Sequence, residues 1–379
     1  MKKLFYFGIL GFFLFEAANV YFIMPMPGSQ EMNSLDFAYF LHTWRWVFRL
    51  AFAAMILVGL KQAFKGSKIL SSLCLLLLLG VTYMTNFSMA ADTMFLQPRS
   101  LQMSLASENS VDTSRLVIGV EYQGQAKAYP IQYLGYHHQV LDTLAGKPLM
   151  VTYCTVCRTG RVFEPVVNGK PESFRLVGMD HFNAMFEDKT TKSWWRQATG
   201  EAVAGKLKGQ VLPEFSSTQM TLHQWLSIHP DSRIMQADQG FQTDYDSLSN
   251  YEAGRQKGKL TRRDSLSWQD KSWVVGISIG KESKAYDWNA LEKERIIYDV
   301  LDNRSLAIIL ASDNKSFVAL ELPDSSKKML LNQDTITLGQ NRFNLLGTSL
   351  DPAIPNLEKI NAYQEYWHSW KAFHPSTQK

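Results

Sequence analysis

Two cysteines separated by two residues are the side chains in this 379-residue chain whose types and spacing point most clearly to chemistry. Cys154 and Cys157 lie between two runs of β-branched and aromatic residues, 149–153 and 161–166, which predict strands joined by a tight connection. Two thiols at this spacing can converge on a metal ion, or on each other as a disulfide. The sequence therefore predicts a thiol site in this turn.

Further side chains that bind soft metals occur in the same half of the chain, namely His137, His138, Met179 and His181. Thiolate, imidazole and thioether ligands favour copper or zinc. We predict that Cys154 and Cys157 bind such a metal, with His137 as the third ligand and one of the others completing the site. Because a thiol must lose its proton to bind a metal, the affinity should fall in acid.

Two other functions stay open for the same cysteines, and whether the protein is an enzyme stays open with them. One is a thiol–disulfide oxidoreductase that cycles Cys154 and Cys157, with Arg158 stabilising a thiolate. The other is a non-catalytic binding module, in which the cysteines form a structural disulfide and the Trp194-Trp195 region contacts a partner. A thioredoxin-like site is disfavoured, because residues 159–163 continue as strand where that site needs a helix.

Composition and motifs exclude several classes of ligand. A c-type haem site needs His directly after the second cysteine, where this chain has Arg158. The chain has no P-loop and no Gly-x-Gly-x-x-Gly motif, so no nucleotide is predicted. The net charge of +4 lies entirely within residues 1–90. A neutral body without a basic stripe argues against nucleic acid and leaves an extracytoplasmic protein or a small molecule as the unknown partner.

The part of the chain that carries the cysteines is predicted to be a duplication. Residues recur in the same order at a constant offset: Val117, Gly119, Lys127-Ala128-Tyr129 and Asp142 return as Val274, Gly276, Lys284-Ala285-Tyr286 and Asp299. This indicates two copies of one module, at 114–238 and 272–379, with polar linkers at 91–113 and 239–271. The predicted fold class is α+β, with three N-terminal transmembrane helices followed by two β-rich tandem modules.

The two modules differ at the cysteine turn. Residues 311–314 occupy the equivalent turn of the second module and contain no cysteine, so the fold does not need the thiols. Four histidines occur at matching positions of both modules and are assigned to packing or helix ends: His223, His229, His368 and His374. Within the first module we also predict a hairpin around Gln123-Gly124 and a helix over 218–228.

Three apolar stretches, 4–24, 37–60 and 69–89, are each long enough to cross a bilayer as a helix. They predict a three-helix membrane anchor over residues 1–90. Lys2 and Lys3 precede the first stretch, and three lysines lie in the 61–68 loop. The positive-inside rule places these ends in the cytoplasm. The predicted protein is a multi-pass protein of the inner membrane, in contact with the lipid bilayer, whose C-terminal domain faces the periplasm or cell exterior.

Charged residues within the apolar stretches require a partner. Glu16 lies in the first stretch, and His42, Arg45 and Arg49 lie on one face of the second. Glu16 and Arg45 are at similar depths from the outer edge of their stretches. We predict an ion pair between them that holds the two helices together.

The segment 153–160, Tyr-Cys-Thr-Val-Cys-Arg-Thr-Gly, resembles a bacterial family catalogued as domain of unknown function 3179. The resemblance runs from residue 116 to 229, and more weakly through the second module. It includes Tyr136-His137 and the segments 183–188, 193–197 and 200–205. Family members have Gly, Glu and Asn where this chain has Arg158, His138 and Leu141. The resemblance implies membership and an exported location, and brings no established activity with it.

Overall fold

The structure is a computed structural model that describes residues 1–323 and 328–379, and it is a mixed α and β protein, as predicted. Its α-helices are α1 (Lys2–Tyr21), α2 (Leu35–Thr43), α3 (Arg45–Gly66), α4 (Lys68–Tyr83), α5 (Ala91–Met94), α6 (Ile131–His137), α7 (Leu222–Ile228), α8 (Gln242–Ser247), α9 (Trp288–Glu294) and α10 (Trp367–Phe373). A π-helical turn, Met84–Ser88, continues α4.

The strands form several separate sheets. In chain order they are β1 (Met103–Leu105), β2 (Leu116–Tyr122), β3 (Gln125–Pro130), β4 (Gln139–Leu144), β5 (Lys147–Cys154), β6 (Thr159–Phe163), β7 (Val166–Val167), β8 (Lys170–Pro171), β9 (Phe174–Asp180), β10 (Asn183–Asp188), β11 (Trp194–Arg196), β12 (Ala202–Ala204), β13 (Ser217–Thr221), β14 (Arg233–Met235), β15 (Trp273–Ile279), β16 (Glu282–Asp287), β17 (Ile296–Leu301), β18 (Arg304–Leu310), β19 (Phe317–Glu321), β20 (Met329–Asn332), β21 (Thr335–Leu338), β22 (Asn341–Phe343), β23 (Lys359–Ile360) and β24 (Ala362–Tyr366).

The chain divides into two compact units that do not follow its linear order. The first unit consists of Met1–Leu96, Glu172–Arg196 and Glu201–Val211. The second consists of Gln97–Pro171, Gln197–Gly200 and Leu212–Lys379. The first unit therefore combines the N-terminal helices with the sheet β12-β11-β10-β9, although more than 70 residues separate them in sequence.

Three helical segments of the first unit are long and apolar enough to cross a membrane: Lys2–Tyr21, Arg45–Gly66 and Lys68–Ser88. The predicted second span, 37–60, is wrong in its bounds, because the helix is interrupted at Trp44, between α2 and α3. The apolar residues of α2 serve another purpose. Ala38 and Tyr39 pack against Val177 and Trp194 of the sheet, so this helix contributes to a protein core and lies outside the candidate span Arg45–Gly66.

The predicted ion pair of Glu16 with Arg45 is also wrong, because Glu16 pairs with Arg49. The Arg49 Nε lies 2.6 Å from Glu16 Oε1, whereas the Arg45 guanidinium donates to the His42 carbonyl oxygen at the end of α2. Arg45 is the first residue of α3, so it lies at the end of this candidate membrane helix. Arg49 lies one turn further along α3, level with Glu16 of α1.

Two regions of the second unit share the same order of elements. In one, the β2–β3 hairpin is followed by α6 and the sheet β4-β5-β6, and β13 pairs with β2 before α7. In the other, the β15–β16 hairpin is followed by α9 and the strands β17-β18-β19, and β24 pairs with β15 before α10. The predicted hairpin around Gln123-Gly124 is confirmed by β2 and β3.

The predicted helix over 218–228 is correct only in its second half. Residues 217–221 form β13, which pairs with β2 along its whole length, and α7 begins at Leu222. The Thr221 hydroxyl accepts a hydrogen bond from the Gln224 backbone N–H and so caps the helix. Edge pairing with β2 therefore outweighs the helical tendency of the first four residues.

Candidate functional site

The Cys154–Cys157 turn joins two paired strands of the second unit. Cys154 ends β5 and pairs with Thr159, the first residue of β6. The turn is tight enough that Arg158 adopts a left-handed conformation, with φ of 58°. Both cysteines are free thiols and both are fully buried. Their side chains are hydrogen-bonded to each other, so the spacing does bring the two sulfur atoms together.

Residues from the C-terminal end of the chain lie beside this turn. The Tyr366 backbone N–H donates to the Cys157 carbonyl oxygen at 2.9 Å, and the Ser369 hydroxyl is hydrogen-bonded to the Cys157 thiol. The Lys271 Nζ lies 2.7 Å from the Val156 carbonyl oxygen and 3.0 Å from Nε2 of His368. An ammonium group, an imidazole and a hydroxyl thus accompany the two thiols.

Burial sets the protonation of this group. Burial raises the pKa of the Cys157 thiol well above 9, and the neighbouring Cys154 raises it further. Burial also lowers the pKa of Lys271 to about 8, against the opposing effect of the thiols. Burial and the Lys271 charge lower the pKa of His368 to about 3. At neutral pH the Cys157 thiol and the imidazole are therefore uncharged, and most Lys271 side chains carry a proton.

Arg158 is held by other groups, although the sequence suggests it as a partner for a thiolate. Its guanidinium donates to Gln364 Oε1 at 2.8 Å and to the Glu252 carbonyl oxygen at 2.9 Å. The same group stacks on the Trp273 ring at 3.9 Å. The cation that acts electrostatically on the Cys157 thiol is Lys271.

The histidines predicted as metal ligands have their own partners. Nε2 of His137 lies 2.6 Å from the Tyr245 hydroxyl, and the ring packs edge-on against Tyr136. His138 is buried with φ of 62°, and its Nδ1 lies 3.0 Å from the Tyr136 carbonyl oxygen. Burial lowers the pKa of His138 to about 4. Both histidines belong to the same unit as the cysteines.

The other two predicted ligands belong to the first unit. Met179 lies in β9, where its backbone N–H donates to the Ile23 carbonyl oxygen at 2.7 Å. Nδ1 of His181 lies 2.7 Å from Asp180 Oδ1. Across residues 1–323 and 328–379, no group of three or more His, Cys, Asp or Glu side chains is arranged to hold a metal ion. The full ligand set stays a prediction.

The tryptophan pair singled out in the sequence also lies in the first unit. Trp194 and Trp195 are both buried in β11. The Trp194 indole N–H donates to Glu187 at 3.1 Å, and that of Trp195 donates to Asp188 at 2.9 Å. Glu187 and Asp188 thus each accept a hydrogen bond from a buried indole ring.

Lys271 and His368 are not among the site residues that the sequence predicts. The sequence assigns His368 to packing because His223 occupies the matching position, yet the environments of the two rings differ. His223 is exposed, whereas His368 is partly buried against Lys271 and the cysteine turn. Lys271 directly precedes the predicted second module and His368 lies near its end, and nothing in the linear order shows that these residues meet Val156.

Comparison with known proteins gives one result. Residues 97–377 match the family described as Protein of unknown function (DUF3179). No curated protein and no solved structure matches the chain. The matched range contains the cysteine turn, Lys271 and His368, and it covers most of the chain beyond the N-terminal helices. The chain therefore belongs to the DUF3179 family.

Proposed function

We propose that α1, α3 and the Lys68–Ser88 segment span a membrane. The N-terminus and the 61–68 loop then lie in the cytoplasm, and the segment between α1 and α3 and the chain after Ser88 lie outside. The distribution of lysines supports this orientation, since Lys2, Lys3, Lys61, Lys65 and Lys68 all lie at one end of the three helices. In bacteria with an outer membrane, this places the second unit in the periplasm.

Labelling of introduced cysteines tests the orientation. In a chain without its native cysteines, Lys257→Cys should react with a membrane-impermeant maleimide in intact cells whose outer membrane has been permeabilised. Lys65→Cys should react only after lysis. The reverse pattern would overturn the orientation.

We further propose that residues 114–238 and 272–379 arose as two copies of one module. Matching contacts support this. Lys127 and Tyr129 both bind Asp142, each at 2.7 Å. Lys284 and Tyr286 bind Asp299 in the same way, at 2.8 and 2.9 Å. Residues that recur in sequence therefore make the same contacts in both regions.

We infer that Cys154 and Cys157 together bind one thiophilic metal ion, and that copper(I) suits the site best. The observation that carries this inference is the contact between two free, buried thiols beside a half-buried ammonium group. Copper(I) accepts two thiolates as a complete ligand set, whereas zinc requires four ligands. Binding releases two protons and leaves one net negative charge, which the Lys271 ammonium neutralises.

Copper titration of the purified full chain tests this function. Under anaerobic, reducing conditions with a competing chelator, the chain should bind one copper(I) ion. Cys154→Ser/Cys157→Ser should lose this binding, and the matched control Cys74→Ser should keep it. Lys271→Met should weaken binding about tenfold, because the buried negative charge is no longer neutralised.

The copper assignment fails if the double serine variant and the Cys74→Ser control hold equal copper, provided that circular dichroism shows both folded. A parallel titration with zinc distinguishes the two metals. Tighter binding of zinc than of copper(I) would overturn the two-thiolate assignment and favour the larger set with His137.

A thiol–disulfide oxidoreductase is the second candidate, because two thiols in contact can close to a disulfide. The burial and raised pKa of Cys157 oppose it, since the thiolate is the attacking species. An extracytoplasmic oxidoreductase requires a reduction potential well above that of structural disulfides, for example about −180 mV as in protein disulfide isomerase. Equilibration with glutathione followed by alkylation measures it. A disulfide that glutathione does not reduce would exclude the enzyme.

A further inference from the structure

A polar cavity of about 680 Å³ lies within the first unit, at one end of the three candidate membrane helices. Asn19 near the end of α1, Arg45 at the start of α3 and Asn86 in the turn after α4 all line it. These are the ends opposite the lysines of the 61–68 loop. In the proposed orientation the cavity therefore lies where the outer face of the bilayer meets water.

The charges around this cavity are unbalanced. Its lining contains four cations, Arg45, Arg175, Lys192 and Lys206, but only two carboxylates, Asp92 and Glu187. Arg175 pairs with both carboxylates, at 3.0 and 2.9 Å. Among the residues that the structure describes, no carboxylate forms an ion pair with the other three cations. Asp92 and Glu187 offset only two of the four positive charges, so the lining carries a net charge of +2 that an anion could neutralise.

The remaining lining suits a ligand with a polar and an apolar part. Burial lowers the pKa of His42, and its Nε2 lies 3.4 Å from Glu187, so this imidazole is bound to a carboxylate already. The hydroxyl groups of Thr43 and Thr190 offer hydrogen bonds, whereas Val20 near the end of α1 and Ile23 just after it present apolar surface.

We propose that this cavity binds the phosphate-bearing headgroup of an anionic phospholipid from the outer leaflet. Arg45, Lys192 and Lys206 would pair with the phosphate, and Val20 and Ile23 would contact the adjoining part of the lipid. Arginine and lysine at a membrane surface are the side chains that recognise such headgroups. The inference rests on the proposed membrane placement of the helices and does not depend on the cysteine site.

Native mass spectrometry of the full chain in a neutral detergent tests the proposal. One phosphatidylglycerol molecule should bind at least about tenfold more tightly than phosphatidylcholine. Lys192→Gln/Lys206→Gln should reduce this binding about tenfold, whereas Arg45→Lys, which keeps the charge, should retain it. The matched control Lys257→Gln/Lys259→Gln changes two exposed lysines of the second unit and should leave the affinity unchanged.

Equal affinity for the two lipids, or an unchanged affinity in the Lys192→Gln/Lys206→Gln variant, would overturn the site. Inorganic phosphate is the third ligand to be tested. If it competes with phosphatidylglycerol at equal concentration, the cavity is a site for free phosphate and the lipid is excluded. An error in the membrane placement would appear separately, as a full chain that stays in solution without detergent.

Discussion

Glu16 is a fully buried carboxylate between the candidate membrane helices, and three side chains hold it. The Arg49 guanidinium donates to both of its oxygens, at 2.6 and 3.0 Å. The Asn86 amide and the Thr85 hydroxyl donate to the same group, at 2.7 and 3.2 Å. One carboxylate therefore links α1, α3 and the turn after α4.

Arg49→Ala should destabilise the chain by about 3 kcal/mol, because it leaves the Glu16 carboxylate buried without its cation. The matched control Arg45→Ala removes a guanidinium that donates to a backbone carbonyl, and should cost less than about 1 kcal/mol. Thermal unfolding in detergent measures both. A greater loss in Arg45→Ala than in Arg49→Ala would contradict this account of the pair.

At the scale of elements, two tryptophan-bearing helices pack directly on strand glycines. Trp225 of α7 lies against Gly119 of β2, and Trp370 of α10 lies against Gly276 of β15. A Cβ at either glycine would clash with the facing ring. Both indoles are buried in their cores, so the close approach of helix and strand depends on the missing side chain.

Gly119→Ala and Gly276→Ala should each destabilise the fold by about 2–3 kcal/mol, because the buried rings must move. Gly258→Ala is the control, since a Cβ there meets only the Thr261 hydroxyl, at an ordinary 3.6 Å, and should change stability by less than about 0.5 kcal/mol. Chemical denaturation provides the values. Similar stabilities of all three variants would refute the close packing.

The contact of the β9–β12 sheet with the N-terminal helices should depend on pH through Glu187. Burial alone would raise the pKa of Glu187, but bonds from His42, Arg175 and Trp194 outweigh it and lower the pKa to about 2. A carboxyl group whose pKa is lowered in the folded chain stabilises the fold at pH values above its ordinary pKa of 4.5. This stability is lost as the pH falls from there towards 2.

Between pH 6 and pH 3 the wild-type chain should therefore lose on the order of 2 kcal/mol that Glu187→Gln does not lose. Glu31→Gln replaces an exposed carboxylate of the same unit and should follow the wild type. Tryptophan fluorescence during unfolding gives the comparison, because Trp194 bonds to Glu187. If Glu187→Gln and wild type show the same pH dependence, the carboxylate does not hold the sheet.

At the scale of the whole molecule, the first unit is completed by chain segments far from its helices in sequence. Cutting the chain after the helices would therefore leave the β9–β12 sheet without part of the unit to which it belongs. A chain of residues 97–379 keeps β9–β12 but loses Ile23, Ala38 and His42, which contact this sheet.

In such a truncated chain, trypsin should cleave within 172–211 at least about tenfold faster than in the full chain in detergent. The reason is that a sheet without its packing partners unfolds locally more often. Residues 212–379 should stay protected, since their contacts lie in the second unit. Mass spectrometry of the early fragments locates the cuts. Equal cleavage of 172–211 in both chains would show that the sheet does not need the helices.

Several features follow from short-range patterns and could be predicted. The β2–β3 hairpin and the strands around the cysteine turn are confirmed because alternation, β-branching and turn residues act within a few positions. Apolar length alone identified three candidate spans, but it misplaced the second. An apolar run has the same composition whether it contacts lipid or a sheet such as β9–β12, and only its neighbours distinguish the two.

The sequence by itself determined that the chain has three apolar helical segments, a mixed α and β body, and a pair of cysteines on a turn between strands. Only the tertiary structure decided that Glu16 binds Arg49, that Lys271 and His368 accompany the thiols, and that residues 172–196 and 201–211 join the N-terminal helices in one unit. The reason is physical. Local conformation depends on neighbours along the chain, whereas burial, charge pairing and pKa depend on neighbours in space, which the chain brings from more than 100 residues away.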